Sequence, residues 1–247
     1  MPNYLAFVAP TPVCSSRRSA RKAIVRAKLT QSSMPDVSVE HPTKTRDSAF
    51  AQFCISTFRS IMHPKIGWKS PRSGYDGLVE ECRMLLARKG PEEQQKVVRH
   101  TLDTLFQAPH GPRLFRQLFS DSPRLNAFIT PMFFKWLVGE CYTNRPEEGG
   151  FGVYIEKCRF LEESGCKGLC VNMCQQPTQR YFSDVLGLPV RMTPNYEDMS
   201  CQMTYGVPPL PIEEDPAVSG DCLTNCKMSS SIRLRGDPTC YVTKSPK

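Results

Sequence analysis

Along the first half of the chain, apolar positions recur at helical spacing. Phe50, Phe53, Phe58, Ile61 and Met62 predict one helix, with Ser48 as its N-cap. Leu78, Val79, Cys82, Leu85 and Leu86 form an i, i+3, i+4, i+7 stripe that Gly90 and Pro91 close. Pro91 opens a further helix through Val97, Val98, Leu102, Leu105 and Phe106. Its early Glu92 and Glu93 suit the positive end of the helix dipole. A shorter helix is expected over Pro112–Phe119. Ser122-Pro123 opens the most apolar one, which Pro131 should kink. From about Gly149 the rhythm breaks. Tyr154–Glu163 reads as a helix, and Gly165 and Gly168 punctuate a cysteine run. Pro177–Leu186 is helical with Gly187 as its stop. Val190–Met192 and Ser200–Tyr205 suit short strands, and the prolines of 207–220 mark a loop. The expected fold is mostly α with a smaller irregular α+β cysteine-rich C-terminal region. Its divisions are a helical domain at 48–145, a cysteine-rich metal-binding region at 149–226 and a flexible tail at 227–247.

Charge changes the picture at the N-terminus. The net charge is +8, but six of the 32 basic residues lie before the first acid, Asp36, which leaves 26 bases against 24 acids. The basic character therefore belongs to a tail rather than to a folded face, which gives little support for nucleic-acid binding, and no nucleic-acid partner is expected. Residues 1–35 are rich in Ser, Thr, Arg and Lys, as in a disordered plastid transit peptide, with Val25-Arg26-Ala27 resembling a processing site. A secretory signal is disfavoured because Pro10 and Pro12 follow the short apolar stretch Leu5–Ala9. The best candidate for a membrane span, Leu125–Tyr142, contains Lys135, Glu140 and a central Pro131, and does not read as a spanning helix.

Twelve cysteines are present, and Cys158, Cys166, Cys170, Cys174, Cys201, Cys222 and Cys226 crowd one segment. Three readings compete. A disulfide framework is poorly supported in a reducing stroma. Thiols that act as small hydrophobes suit the scattered Cys54, Cys82 and Cys141. Thiolate metal ligation suits the run Cys166-x3-Cys170-x3-Cys174. A straight helix, however, separates the ends of that run by roughly 12 Å, while a thiolate sits about 2.3 Å from a zinc ion. Either Gly168 breaks the helix, or a larger iron–sulfur cluster is held, or only two of the three are ligands. All four histidines, His41, His63, His100 and His110, precede this segment, so a two-His iron site would need them to meet across regions. Soft sulfur ligands point to iron or zinc.

The stretch Gly152–Cys174, with its Glu156-Lys157-Cys158-Arg159-Phe160-Leu161 and Cys166-Lys167-Gly168-Leu169-Cys170-Val171-Asn172-Met173-Cys174, carries a family signature. It continues in Gln176-Pro177-Thr178-Gln179 and Pro194-Asn195-Tyr196-Glu197-Asp198-Met199-Ser200-Cys201-Gln202. These residues resemble the dwarf-twenty-seven family of plastid β-carotene isomerases over about residues 70–226. The resemblance implies an iron-dependent enzyme that interconverts all-trans- and 9-cis-β-carotene in strigolactone biosynthesis or related carotenoid metabolism. It implies a plastid location and iron, as a non-haem ion or an iron–sulfur cluster, with zinc as the alternative. The seven clustered cysteines are its candidate ligands. A lipophilic carotenoid is the expected substrate, and peripheral contact with plastid membranes is expected to follow from it. Phe133, Phe134 and Trp136, with Phe128 beside them, and Tyr181 and Phe182 are the candidate walls of a dry slot. The competing reading for these aromatics is ordinary helix core. Glu162, Glu163, Glu197 and Asp198 are candidates for acid–base chemistry, against a reading as solvated surface charges. The competing function is a non-enzymatic thiolate-metal module or electron carrier.

Overall fold

Helix α1 (Ala49–Ile66) starts where Ser48 accepts the Ala51 N–H at 3.1 Å and ends at Gly67, whose φ of 70° is left-handed. The computed structural model that shows this describes residues 47–106 and 111–228. Helices α2 (Gly74–Arg88) and α3 (Pro91–Phe106) follow their apolar stripes, and Leu78, Leu85, Leu86 and Val98 enter the core. A Cβ at Gly77 would stand 2.5 Å from the Arg59 guanidinium carbon, so glycine there lets α2 close over Arg59. Helix α4 (Gly111–Phe119) buries no residue fully.

Helix α5 (Pro123–Val138) is capped by Ser122 and continues past Pro131 as one element, where the sequence predicts a kink. Proline removes the N–H that would bond the Ala127 carbonyl. The Thr143 hydroxyl takes that carbonyl instead, at 2.8 Å. The vacated acceptor is thus satisfied from the next element.

A four-stranded antiparallel sheet follows, made of β1 (Cys141–Asn144), β2 (Phe151–Ile155), β3 (Val190–Pro194) and β4 (Cys201–Tyr205), in the order β1-β2-β4-β3. The helix expected over Tyr154–Glu163 is not one element. Its first residues belong to β2, and α6 (Arg159–Ser164) begins only after Cys158. Phe151, Val153 and Ile155 alternate with period two, and β4 offers them backbone partners that a helix would leave unused. Strand β1 was not foreseen, because its four residues are too few to show a period.

Helix α7 (Lys167–Cys170) passes without interruption into a π-helical stretch, Val171–Gln175, then α8 (Gln176–Arg180) and a second π stretch, Tyr181–Leu186. Side chains on this run grip the sheet. Gln175 donates to the Met192 carbonyl and to the Asp215 carboxylate, each at 2.9 Å, and Gln179 accepts the Met192 N–H at 2.7 Å. On its other side, buried Asn172 donates to Gln94 of α3.

The described residues fall in one compact unit, which holds both the helical and the cysteine-rich stretches. Lys227 and Met228, assigned to the tail from sequence, are tied down: the Lys227 N–H donates to the Gly165 carbonyl and Met228 is buried. The expectations for residues 1–35 and for 229–247 lie outside the described residues. No helix among the described residues is long and apolar enough to cross a membrane.

Candidate active site

Between helices α1, α3, α4 and α5, the two π-helical stretches and the inner face of the sheet lies an apolar cavity of about 440 Å3. That is the size of a small-molecule site. All five aromatics singled out from sequence, Phe133, Phe134, Trp136, Tyr181 and Phe182, line it. Phe128 does not; it is 65% exposed on the outer face of α5. Lining residues that sequence reading missed include Phe58, Leu102, Phe106, Phe115, Phe119 and Tyr205. Their rings interlock. Phe106 meets Tyr181 at 5.5 Å, Phe58 meets Trp136 at 5.8 Å, and Phe182 bridges Phe115 and Tyr205 at 6.4 and 5.8 Å. Aromatics on separate helices carry no shared spacing that would have flagged them.

Few polar groups face this space, and Asn126, Thr130, Tyr181 and Tyr205 among them are hydrogen-bonded. The Thr130 hydroxyl donates to the Asn126 carbonyl at 2.8 Å, so it accepts from the Tyr205 hydroxyl, 2.6 Å away. Burial pushes the Tyr181 hydroxyl up to about 12, so it stays protonated and neutral near pH 7.

Against the sheet side of the slot lies a second, far smaller cavity of about 10 Å3, and four of the seven candidate cysteines line it: Cys158, Cys170, Cys174 and Cys201. Each comes from a different local device. Cys158 is the N-cap residue of α6, and its N–H donates to Met199 at 2.7 Å. Cys170 ends α7, and Cys174 lies in the first π stretch. Cys201 opens β4, in register with Ile155 on one side and Pro194 on the other. Cys170 and Cys174 share a helical face, as their spacing requires. Cys166 is buried but does not line this cavity, while Cys222 is exposed and Cys226 half-buried away from it. Gly168 does not break the helix. Of the Cys166-Cys170-Cys174 run, two members, Cys170 and Cys174, line this cavity.

Burial is the first cause of weakened thiol acidity at all four positions. Cys174 is pushed up to about 12, with Cys158 adding to the effect. Cys170 and Cys201 are driven well above the usual thiol value, and neighbouring cysteines contribute to both. At Cys158 the backbone N–H groups of Leu161 and Phe160 offset part of the burial. Tyr196 hydrogen-bonds to Cys170 and donates to the Ala217 carbonyl at 2.9 Å, and the Lys167 ammonium sits 4.8 Å from its ring centre.

Four buried sulfurs around one void fit a soft metal in donor type. A void of about 10 Å3 is near the size of a single small occupant rather than of a preassembled cluster. Among the described residues, no group of three or more His, Cys, Asp or Glu stands in a geometry that would hold a metal ion. Ligation would therefore require the sulfurs to draw together. His63 and His100 line neither cavity, and no disulfide joins any of the described cysteines.

The four carboxylates considered for acid–base work also lie outside both cavities. Glu162 pairs with Lys157 at 2.5 Å and Glu163 with Arg159 at 2.9 Å. Asp198 accepts the Ser200 N–H at 2.8 Å, and Glu197 is exposed. They act as surface charges and turn caps, as the competing reading has it.

The two cavities share a wall. Val138, Ile155 and Met192 line both, and among the described cysteines Cys174 alone does so. This placement predicts graded thiol reactivity. Among the described cysteines of the native chain, Cys222 is expected to alkylate first, and Cys158, Cys166, Cys170 and Cys201 only on unfolding. Peptide mass spectrometry after timed iodoacetamide treatment checks the order. Early labelling of Cys201 would contradict it.

Residues 136–214 match the family described as β-carotene isomerase D27-like, C-terminal. The chain is 33% identical over 208 residues to the β-carotene isomerase D27, chloroplastic, of Medicago truncatula, which covers 78% of this chain and 80% of that protein. It is 32% identical over 233 residues to the protein of the same name from Arabidopsis thaliana, covering 91% and 85%. No solved structure matches the chain.

Proposed function

This chain belongs to the β-carotene isomerase D27-like family, and on that premise we propose that it is a plastid carotenoid cis/trans isomerase that turns a polyene double bond inside the apolar slot. Its relatives are named β-carotene isomerase and chloroplastic. The acid-free, Arg- and Ser-rich N-terminal stretch agrees with that address. The finer reading is all-trans- to 9-cis-β-carotene, in strigolactone biosynthesis or related carotenoid metabolism. The observation that carries it is the shared wall: a hydrocarbon slot and a buried thiol cluster meet at Cys174.

The chain's own contribution is positional. The interlocked rings of Phe106, Tyr181, Phe182 and Tyr205 give a polyene flat contact surfaces and exclude water. The Thr130–Tyr205 hydrogen bond satisfies two buried hydroxyls that line the slot, so a hydrocarbon meets no unpaired donor from them. Seating the chain of double bonds at one depth decides which of them lies against Cys174. Iron bound by Cys158, Cys170, Cys174 and Cys201 would supply reversible electron transfer or Lewis-acid polarisation that lowers the order of that bond. Cys166, Cys222 and Cys226 have no part in this proposal.

Incubation of the full chain with detergent-dispersed all-trans-β-carotene, followed by chromatography of the isomers, tests the reading. Growth of the 9-cis peak toward a fixed isomer ratio, and its loss in a Cys170→Ser variant, is the expected result. An isomer ratio no different from that of a protein-free control would refute it.

A further inference from the structure

Nine of the ten large hydrophobic side chains exposed among the described residues sit on the helices that wall the slot. Phe50 and Phe53 of α1, Leu105 of α3 and Phe133 of α5 are exposed and also line the cavity, so they form its mouth. On α5, at about 100° per residue, Leu125, Phe128 and Met132 share a face beside the slot-lining one. On α4, Leu114 and Leu118 likewise flank Phe115 and Phe119, which line the slot.

Charge follows the same surface. Residues 111–138 hold four bases, Arg113, Arg116, Arg124 and Lys135, against one acid, Asp121. Arg124 and Lys135 are exposed and fall along the edge of the Phe128–Met132 face. Lys135 pairs with Glu140 at 2.7 Å, and Arg116 donates to the carbonyls of Asp184 and Val185. Neutral carbonyl acceptors hold Arg116, so these bonds leave its charge uncompensated. Apolar side chains rimmed by cations are the pattern of a surface that lies in a lipid interface.

We propose that the outer faces of α4 and α5, with the Phe50–Phe53 end of α1, dock on an anionic bilayer, so that a carotenoid passes from lipid into the slot through its apolar mouth. This deepens the carotenoid reading and rests on it for the identity of the passenger. A substrate of pure hydrocarbon resides in lipid, and an opening ringed by exposed Phe and Leu spares it any crossing of water. Leu125, Phe128, Met132, Leu114 and Leu118 would enter the acyl boundary, while Arg113 and Arg124 meet lipid phosphates.

The test is flotation of the full chain with phosphatidylcholine vesicles, with and without phosphatidylglycerol. It is run for the parent chain and for the double variant Phe128→Ser, Met132→Ser. Neither residue lines the slot. Both proteins carry the same basic N-terminal stretch, so their difference reports the face alone. The parent is expected to float with the anionic vesicles and far less with the neutral ones. The variant should bind about ten-fold more weakly or worse, with an unchanged far-UV circular dichroism spectrum and unchanged turnover of detergent-dispersed β-carotene. A parent that does not float, or a variant that floats equally well, overturns the proposal. A stable dimer that the same substitutions dissociate, with no flotation, would assign the face to a second copy of the chain and also overturn it. Flotation without isomerisation would leave the docking surface standing and remove the carotenoid reading. Isomerisation without flotation would do the reverse.

Discussion

Replacing Cys174 by serine is expected to lower isomerisation of all-trans-β-carotene by about 100-fold while the fold survives. Cys174 is half-buried and borders the open slot, so the new hydroxyl has room and costs only about 1 kcal/mol. Serine keeps the shape and loses the soft, polarisable donor at the one cysteine common to both cavities. Cys166→Ser should show the opposite profile. Cys166 is fully buried outside both cavities, so a hydroxyl there costs about 1–3 kcal/mol of stability with little change in rate. Cys222→Ser, at an exposed position, should change neither. Initial isomerisation rates and urea midpoints for the three variants decide the matter. A Cys166→Ser variant that loses activity without losing stability would move the thiol centre away from the wall described here.

The second large effect concerns stability. Arg59→Ala is expected to destabilise the fold by about 3–5 kcal/mol. Glu81, 0% exposed, receives the Arg59 guanidinium through both carboxylate oxygens, at 2.7 and 3.1 Å, and accepts the Ser70 N–H at 3.1 Å. The same guanidinium also reaches the carbonyls of Ser70 and Gly74, so it ties α1 to the turn before α2. Removing the arginine strands a carboxylate in the core. Against a total stability of about 5–15 kcal/mol, that is a large fraction, and for a domain of this size it corresponds to about 2–4 °C of melting temperature per kcal/mol. Arg59→Lys should fall between, because an ammonium cannot make the two-pronged contact. Adding Glu81→Gln to Arg59→Ala should recover part of the loss, because the stranded charge is then gone. Equal melting temperatures for the single and double variants would show that the charge is not what the arginine serves. Neither Arg59 nor Glu81 lines the slot, so activity measured below the transition should persist.

The helices of the first half were legible in sequence because each declares itself locally. Ser48 and Ser122 cap, Pro91 and Pro123 start, Gly90 stops α2, and the apolar stripes between them have the period of a helix buried on one face. The five aromatic wall residues were legible as candidates because α5 and the second π stretch are unusually rich in rings. Thiol clustering was legible as composition. What stayed hidden depends on partners distant along the chain. Strand β2 forms because β4 supplies its edge, β1 forms because β2 supplies one in turn, and the hydroxyl of Thr143 takes the Ala127 carbonyl that Pro131 leaves without its helical partner. Phe58, Phe106, Phe115 and Tyr205 become walls only when four helices and a sheet converge.

The sequence by itself determined that this is a mostly helical chain of the D27-like kind, with thiols concentrated near its end. Short-range spacing and a dense local motif carry that information, and neither depends on how the ends of the chain meet. Only the tertiary structure decided which thiols gather. Spacing treats Cys166, Cys170 and Cys174 alike, but Cys166 caps the helix start while Cys170 and Cys174 share the face toward Cys158 and Cys201. Only the packing of the first π stretch between sheet and slot makes Cys174 a wall of both cavities, because a residue's neighbours across 100 residues of chain are set by burial and hydrogen bonding, not by its place in a motif.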